Sequence, residues 1–343
     1  MKRKAVIDLS SDRPVWKIPA SAVRSIKKAF GPDWTVKNIT AMSSSDGDGG
    51  RASDAAINAA KGAEVYFGWG VPAEVVDAAK GTLRWAHTAS AGVGSSLTEQ
   101  LKKSGATFTN SPGIQGDPMA DWALAAIAFC IRGLHEAVAA QRERRWSKDV
   151  FTSGELSIRE FANTRVGIVG LGGVGQKLAR RCVSLGMEVA GIRRRPDAPK
   201  VPGVAWVGGP KDIGKLARQS DVLVIAAPHT HATDRLVDRS VLERLPKGAY
   251  VINLARGAIL DEAALLDEMD AGRIAGCVLD VFEKEPLPKR HRFWDHSRVL
   301  VMPHASAISD KFWERETDLL VTNIGRFLKG KPLKHTVDFA LGY

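Results

Sequence analysis

The sequence is poor in cysteine and has no long apolar run, and each shortage removes a class of protein. Cys130, Cys182 and Cys277 are the only cysteines among 343 residues, odd in number, scattered and without metal-ligand spacing. They predict reduced, buried thiols in a reducing compartment, with a cytoplasmic location and no bound metal. The longest apolar stretch, Trp122 to Ile131, falls short of the roughly 20 residues that cross a bilayer, so no membrane partner is expected. The basic start, Met1 to Asp8, lacks an apolar signal core and reads as a first strand. Despite a net charge of +11, no aromatic-interleaved RNA-binding motif or zinc-finger spacing is found. The charge therefore suits an anionic small molecule, with no nucleic acid expected.

What is present is globular. Apolar residues make up 44% and charged residues 25% of a chain long enough for two domains. Lys4–Asp8, Ala63–Gly68 and Arg84–Thr88 read as short buried strands, and Pro19–Phe30 as a helix stopped by Gly31-Pro32. Ser43 to Gly50 reads as a polar surface loop. After Asn110-Ser111-Pro112-Gly113 a helix from about Pro118 to Leu134 is apolar nearly all round. Burial between domains or at a subunit interface is expected for it. From Thr164 onward strands at Val166–Gly170, Glu188–Ile192, Asp221–Ala226, Ala249–Asn253 and Gly276–Asp280 alternate with helices. That pattern predicts an α/β fold with a doubly wound parallel sheet. One last helix runs from past Ser309 to about Lys329.

Gly170-Leu171-Gly172-Gly173-Val174-Gly175 fits G-x-G-x-x-G between a strand and a helix, which is the context a dinucleotide site requires. Gly170 serves the tight turn, Gly172 lets a pyrophosphate approach the backbone, and Gly175 lets the helix pack on the strand. The helix N-terminus offers N–H groups to the phosphates. About 20 positions on, where an acid commonly accepts from the ribose 2′-hydroxyl, stand Arg193 and Arg194. Guanidinium groups pair with a 2′-phosphate that a carboxylate would repel, so NADP(H) is the expected cofactor, with NAD(H) still usable.

Three further segments follow late strands, on the side where open α/β sheets bind ligands. They hold Arg256, then Glu283 and Glu285, then His304. A 2-oxo acid would suit them. Arginine holds its carboxylate through paired hydrogen bonds, histidine supplies the proton when hydride reaches C2, and a carboxylate favours the imidazolium.

These motifs together resemble the D-isomer-specific 2-hydroxyacid dehydrogenase family, from about Val65 to the last helix. The resemblance rests on Gly170–Gly175, Ile252–Gly257, Leu279–Phe282 with Glu285-Pro286-Leu287, and Pro303-His304. It implies Arg256, Glu285 and His304 as the catalytic set, since the family's acid stands just before Pro-Leu. It implies backbone amides of Gly92, Val93 and Gly94 holding the substrate carboxylate with Arg256. It further implies cofactor contacts from Leu171, Gly173, Val174, Ala227, Pro228, Thr233, Leu254, Ala255, Arg256, Asp280 and His304, with Asp280 at the nicotinamide amide. His229 and His231 lie in the Ala227–Thr233 loop without an implied role. The arginine at 193 departs from the family's usual acid and points to its NADP-using branch, where glyoxylate and hydroxypyruvate are first guesses.

The resemblance also implies a Rossmann cofactor domain, residues 114–308, inserted into a flavodoxin-like substrate domain, residues 1–113 and 309–343. It implies catalysis in the cleft between them, and a homodimer built around the Trp122–Ile131 helix. A phosphite-type dehydrogenase of this fold, and a cofactor-sensing corepressor or scaffold, stand as alternatives.

Overall fold

A computed structural model describes residues 2–42, 51–199 and 201–342. The Ser43–Gly50 loop lies outside them. The chain divides into two compact units, one of Met1–Gln115 with Ile308–Tyr343 and the other of Gly116–Ala307.

The first unit is a parallel sheet of β1 (Arg3–Asp8), β2 (Trp34–Asn38), β3 (Val65–Gly68), β4 (Trp85–Thr88) and β5 (Thr107–Thr109). Their order, β2-β1-β3-β4-β5, is the flavodoxin-like one. Side chains alternate across it with the two-residue period of a strand. Val6, Tyr66, Ala86 and Phe108 meet the helices Asp54–Ala60, Ala73–Ala78 and Glu99–Ser104 on one face. Ile7, Phe67 and Trp85 meet the helices Ala20–Phe30 and Phe312–Leu328 on the other. Ala22, Ile26 and Phe30 recur four apart and form the buried stripe of the Ala20–Phe30 helix. Gly31 at φ 80° ends it. Inside this unit the fully buried Glu316 of the last helix meets His87 Nε2 of β4 at 2.9 Å.

The second unit is a seven-stranded parallel sheet: β6 (Arg165–Val169), β7 (Glu188–Ile192), β8 (Trp206–Gly208), β9 (Val222–Ile225), β10 (Ala249–Asn253), β11 (Ile274–Leu279) and β12 (Val299–Val301). The order is β12-β11-β10-β9-β6-β7-β8, so the winding reverses between β6 and β9. This is the Rossmann arrangement with one strand added, and its ligand crevice lies at that reversal.

The apolar helix spans Gly116–Ile131, and the chain then bends by 71° into Leu134–Arg142. Its burial comes first from its own unit. Ala120, Ala123, Ile127 and Ile131 pack against Val166, Ile168, Leu178 and Val278, because small alanines let the helix approach the sheet closely. Among the described residues no single helix is long and apolar enough to cross a membrane. The three cysteines are free and buried, and burial pushes the Cys130 and Cys182 thiols up, Cys182 to about 12.

Candidate active site

At the reversal the chain leaves β6 through Gly170 at φ 105°, a conformation open to glycine. A Cβ on Gly170 would lie 2.6 Å from the Ala227 backbone beyond β9. A Cβ on Gly175 would lie 2.0 Å from the Gly170 carbonyl oxygen, so the helix Gly173–Ser184 sits directly on the turn. At Gly172, the N-cap of that helix, a Cβ would meet nothing within 4 Å. The first and third positions are thus forced by packing inside the protein. The middle one faces open space over the helix N-terminus, as a site for an approaching anion requires. Leu171 is buried in the core and Val174 packs against it. Across the crevice, Thr233 Oγ1 accepts from Thr230 N–H at 2.8 Å and donates to the Pro228 carbonyl at 2.7 Å, which pins the Ala227–Thr233 loop. His229 faces solvent and pairs with Asp234 at 2.9 Å.

Beyond β7 the two arginines differ. Arg193 Nη2 donates to the carbonyls of Pro196 (3.3 Å), Ala198 and Pro199 (3.0 Å), so this guanidinium gathers its own loop. Arg194 beside it is exposed.

The Arg, Glu and His positions come together in this unit. Fully buried Asn253 at the end of β10 accepts from Ala255 N–H and donates to the Arg256 carbonyl, both at 3.1 Å. This clamps the turn that presents Arg256, while Leu254 and Ala255 point into the core. Gly257 follows, and a Cβ there would stand 1.9 Å from the Phe282 carbonyl carbon and 2.2 Å from Glu283 N. The Arg256 segment therefore presses bare backbone against the turn that carries Glu285. In that turn Glu285 Oε1 accepts from Phe282 N–H at 2.9 Å, and Oε2 meets His304 Nδ1 at 2.7 Å.

His304 adopts φ 52°, which costs a non-glycine residue about 1 kcal/mol. Asp280 holds it there. The Asp280 carbonyl accepts from His304 N–H at 2.8 Å, and its buried carboxylate accepts from Ala305 N–H at 2.7 Å and Ser306 N–H at 3.0 Å. The structure thus gives Asp280 a task the resemblance did not name, because both its oxygens serve the His304 turn.

Electrostatics agree with the geometry. The hydrogen bond to Glu285 raises the His304 pKa above its ordinary value, against burial and the charge of Arg256. Burial pushes Glu285 upward, but the bonds from His304 and the Phe282 amide, with the charges of His304 and Arg256, hold it below the usual carboxylate range. A proton on Nδ1 is fixed toward the carboxylate, and Nε2 is the nitrogen left for chemistry.

In the other unit Val93 is buried while Gly92 and Gly94 are exposed. Asn110 Nδ2 donates to the Ala91 carbonyl at 2.7 Å and steadies the start of that loop. Sequence reasoning missed Asn253, the backbone role of Asp280, and Glu262, whose Oε1 accepts from Glu283 N–H at 2.7 Å. Asn253 and Asp280 stood inside quoted motifs, but only contacts reveal what they hold.

A family model for the NAD binding domain of D-isomer specific 2-hydroxyacid dehydrogenases matches residues 124–306. The chain is 32% identical over 289 residues to glyoxylate/hydroxypyruvate reductase A of Photorhabdus laumondii, covering 82% of this chain and 88% of that one. A D-isomer specific 2-hydroxyacid dehydrogenase from Xanthobacter autotrophicus, solved with NADPH and MES, superposes with a TM-score of 0.80 at 28% identity over the whole of both chains. An NADPH-dependent glyoxylate/hydroxypyruvate reductase from Sinorhizobium meliloti, solved with NADP and sulfate, gives 0.78 at 25% identity, again over both whole chains. With the glycine turn at the sheet reversal and the joined Arg256, Glu285 and His304, these likenesses establish that the chain belongs to the D-isomer specific 2-hydroxyacid dehydrogenase family and is an oxidoreductase.

Proposed function

We propose that the protein reduces a small 2-oxo acid to its D-2-hydroxy acid with NADP(H), glyoxylate and hydroxypyruvate being the first substrates to try. The observation that carries this reading is the His304–Glu285 pair, 2.7 Å apart and tuned toward the imidazolium, with Arg256 near enough to act on both charges.

The Gly170–Gly175 turn fits a dinucleotide, because Gly172 leaves its approach open where a side chain would block it. When bound, the nicotinamide supplies the hydride. Arg256 holds the substrate carboxylate. His304 Nε2 gives its proton to the C2 oxygen, and Glu285 stabilises the imidazolium beforehand through Nδ1. In the oxidative direction neutral His304 takes the proton back. Asp280 keeps His304 in its unfavourable backbone conformation, and any contact it makes with the nicotinamide amide would be additional to its two backbone bonds.

For the cofactor's 2′-phosphate, Arg194 is the direct partner in this reading. Arg193 acts beside it by ordering the Pro196–Pro199 carbonyls. A homodimer and a cytoplasmic setting belong to the same proposal. Leu134, Val138, Phe151 and Trp146, the last 94% exposed, support the former, and three free thiols the latter.

The test is absorbance loss of NADPH, and separately NADH, with glyoxylate, hydroxypyruvate, pyruvate and a bulky 2-oxo acid. NADPH-preferring turnover that shifts toward NADH in Arg194→Asp is the expected result. Equal use of both cofactors by the variant and the parent would remove the arginine assignment. No turnover with any acid would turn attention to phosphite or to a sensing role.

A further inference from the structure

Glu262 opens the helix Glu262–Asp270, five residues after Gly257, with Asp261 as N-cap. A carboxylate in the first turn of a helix ordinarily faces water. This one is 7% exposed. Its Oε1 accepts from Glu283 N–H at 2.7 Å, and its Oε2 faces His291 Nε2 at 3.8 Å. The neighbouring amide, Phe282 N–H, donates to Glu285 itself. Two consecutive amides of one turn are therefore held, one by the Glu285 side chain and the next by Glu262, while Gly257 presses on the peptide between them. A buried carboxylate spent on a single loop amide needs a reason, because desolvating it costs free energy that an apolar residue would not cost.

We propose that Glu262 is a positioning residue for the Glu285–His304 pair, fixing through the Glu283 amide the turn from which Glu285 reaches the histidine. The proposal rests on the reading of His304 as the proton donor. Glu262 touches neither substrate nor cofactor in this role and acts through Glu285 alone.

The surroundings make the device sensitive to pH. Burial first, then the charges of Glu283 and Glu285, raise Glu262 to about 7, with the Glu283 amide opposing. The groups around it are Glu283 and Glu285 from the turn, His291 from the segment after it and Cys277 from β11. Arg235 lies 3.6 Å from Glu283 and offsets part of that charge. Glu262 thus changes charge in the neutral range, where the ionised form is the stronger acceptor for the Glu283 amide. If the ionised acceptor holds the turn better, kcat should carry an inflection near neutrality that is lost when residue 262 cannot ionise, which tells it from the titration of His304.

The experiment compares the wild-type chain with E262Q and E262A in NADPH-dependent reduction of the best 2-oxo acid across the neutral range. NADPH binding is followed by fluorescence and folding by thermal unfolding. E262A should lose about ten- to hundredfold in kcat, as expected of a misplaced catalytic pair, with KM and NADPH binding little changed. E262Q keeps an acceptor oxygen and should recover most of the rate, but without the inflection near pH 7. Unchanged kcat in E262A, an E262Q as slow as E262A, or an inflection that survives in E262Q would each overturn the proposal. Should E262A fail to fold, the inflection in E262Q against wild type still decides. A wild-type chain that reduces no 2-oxo acid would sink the reading of the reaction and this proposal with it. An active wild type beside an indifferent E262A sinks the proposal alone.

Discussion

Gly257→Ala adds one methyl group where backbone already stands. The new Cβ would lie 1.9 Å from the Phe282 carbonyl carbon, about 1.5 Å short of the 3.4 Å at which ordinary contact begins. Neither neighbour is a flexible side-chain tip, so the Phe282–Glu283 peptide must move by about that distance. Overpacking of this kind costs roughly 1–3 kcal/mol. The opposing gain from a less flexible unfolded chain is about 0.4–1 kcal/mol, so destabilisation wins. Function should suffer more than stability. Glu285 stands two residues beyond the displaced peptide, and a shift of about 1.5 Å passed on to its carboxylate takes the 2.7 Å bond to His304 beyond hydrogen-bond reach. A misplacement of about 1 Å at a reacting centre can cost on the order of a hundredfold in rate. The assay is steady-state reduction of a 2-oxo acid by NADPH, with thermal unfolding and NADPH binding measured on the same preparation. A folded variant that binds NADPH and has lost about a hundredfold in kcat/KM is expected. A variant with parental kcat/KM would refute the reasoning, because it would show that the peptide can yield without moving Glu285.

Three further outcomes follow from the site and the surface. The raised His304 pKa keeps the imidazolium present above the ordinary histidine range, so on the alkaline side of the inflection assigned to Glu262 reduction should fall as pH rises through the His304 pKa. Glu285→Gln weakens the hydrogen bond and removes the charge that raise the His304 pKa, leaving burial and Arg256, which lower it, opposed by the charge of Asp280. The alkaline limb of kcat/KM should then move to lower pH, and a limb that stays in place would mean that another group titrates there. On the surface, Trp146→Ala with Leu134→Ser should shift light-scattering mass from two copies toward one. An unchanged mass would remove this segment from the dimer proposal.

The sheet that builds the site was legible because its strands are continuous apolar runs separated by helices. Glu188–Ile192 and Ala249–Asn253 have the expected bounds to the residue. The strands Thr107–Thr109, Trp206–Gly208 and Val299–Val301 were not foreseen, since three residues are too few to show a period. The glycine turn was readable from spacing because its geometry is local. The joining of Arg256, Glu285 and His304 was readable because ligands gather beyond the carboxyl ends of strands. What spacing could not show was the support beneath them. Asn253, Asp280 and Glu262 act through backbone amides 2 to 26 residues away. No sequence pattern says which amide a carboxylate will find. Arg193 adds another such contact, because its Nη2 donates to carbonyls of its own loop, which no spacing foretells.

The helix Phe312–Leu328 completes a sheet whose strands precede it by some two hundred residues or more. During synthesis Ile7, Phe67 and Trp85 leave the ribosome early, but one of the layers that cover them does not yet exist. The intervening unit, Gly116–Ala307, is contiguous, so all of it has been made before Phe312 emerges. At about 5–20 residues per second the ribosome spends on the order of 10–40 seconds on the stretch between. Throughout that interval His87 has no Glu316 to meet. The newborn chain therefore passes through a stage with one finished half and one half open along an apolar face, and it is then that chaperone binding or aggregation would be decided. A chain cut before Phe312 would be held at that stage permanently.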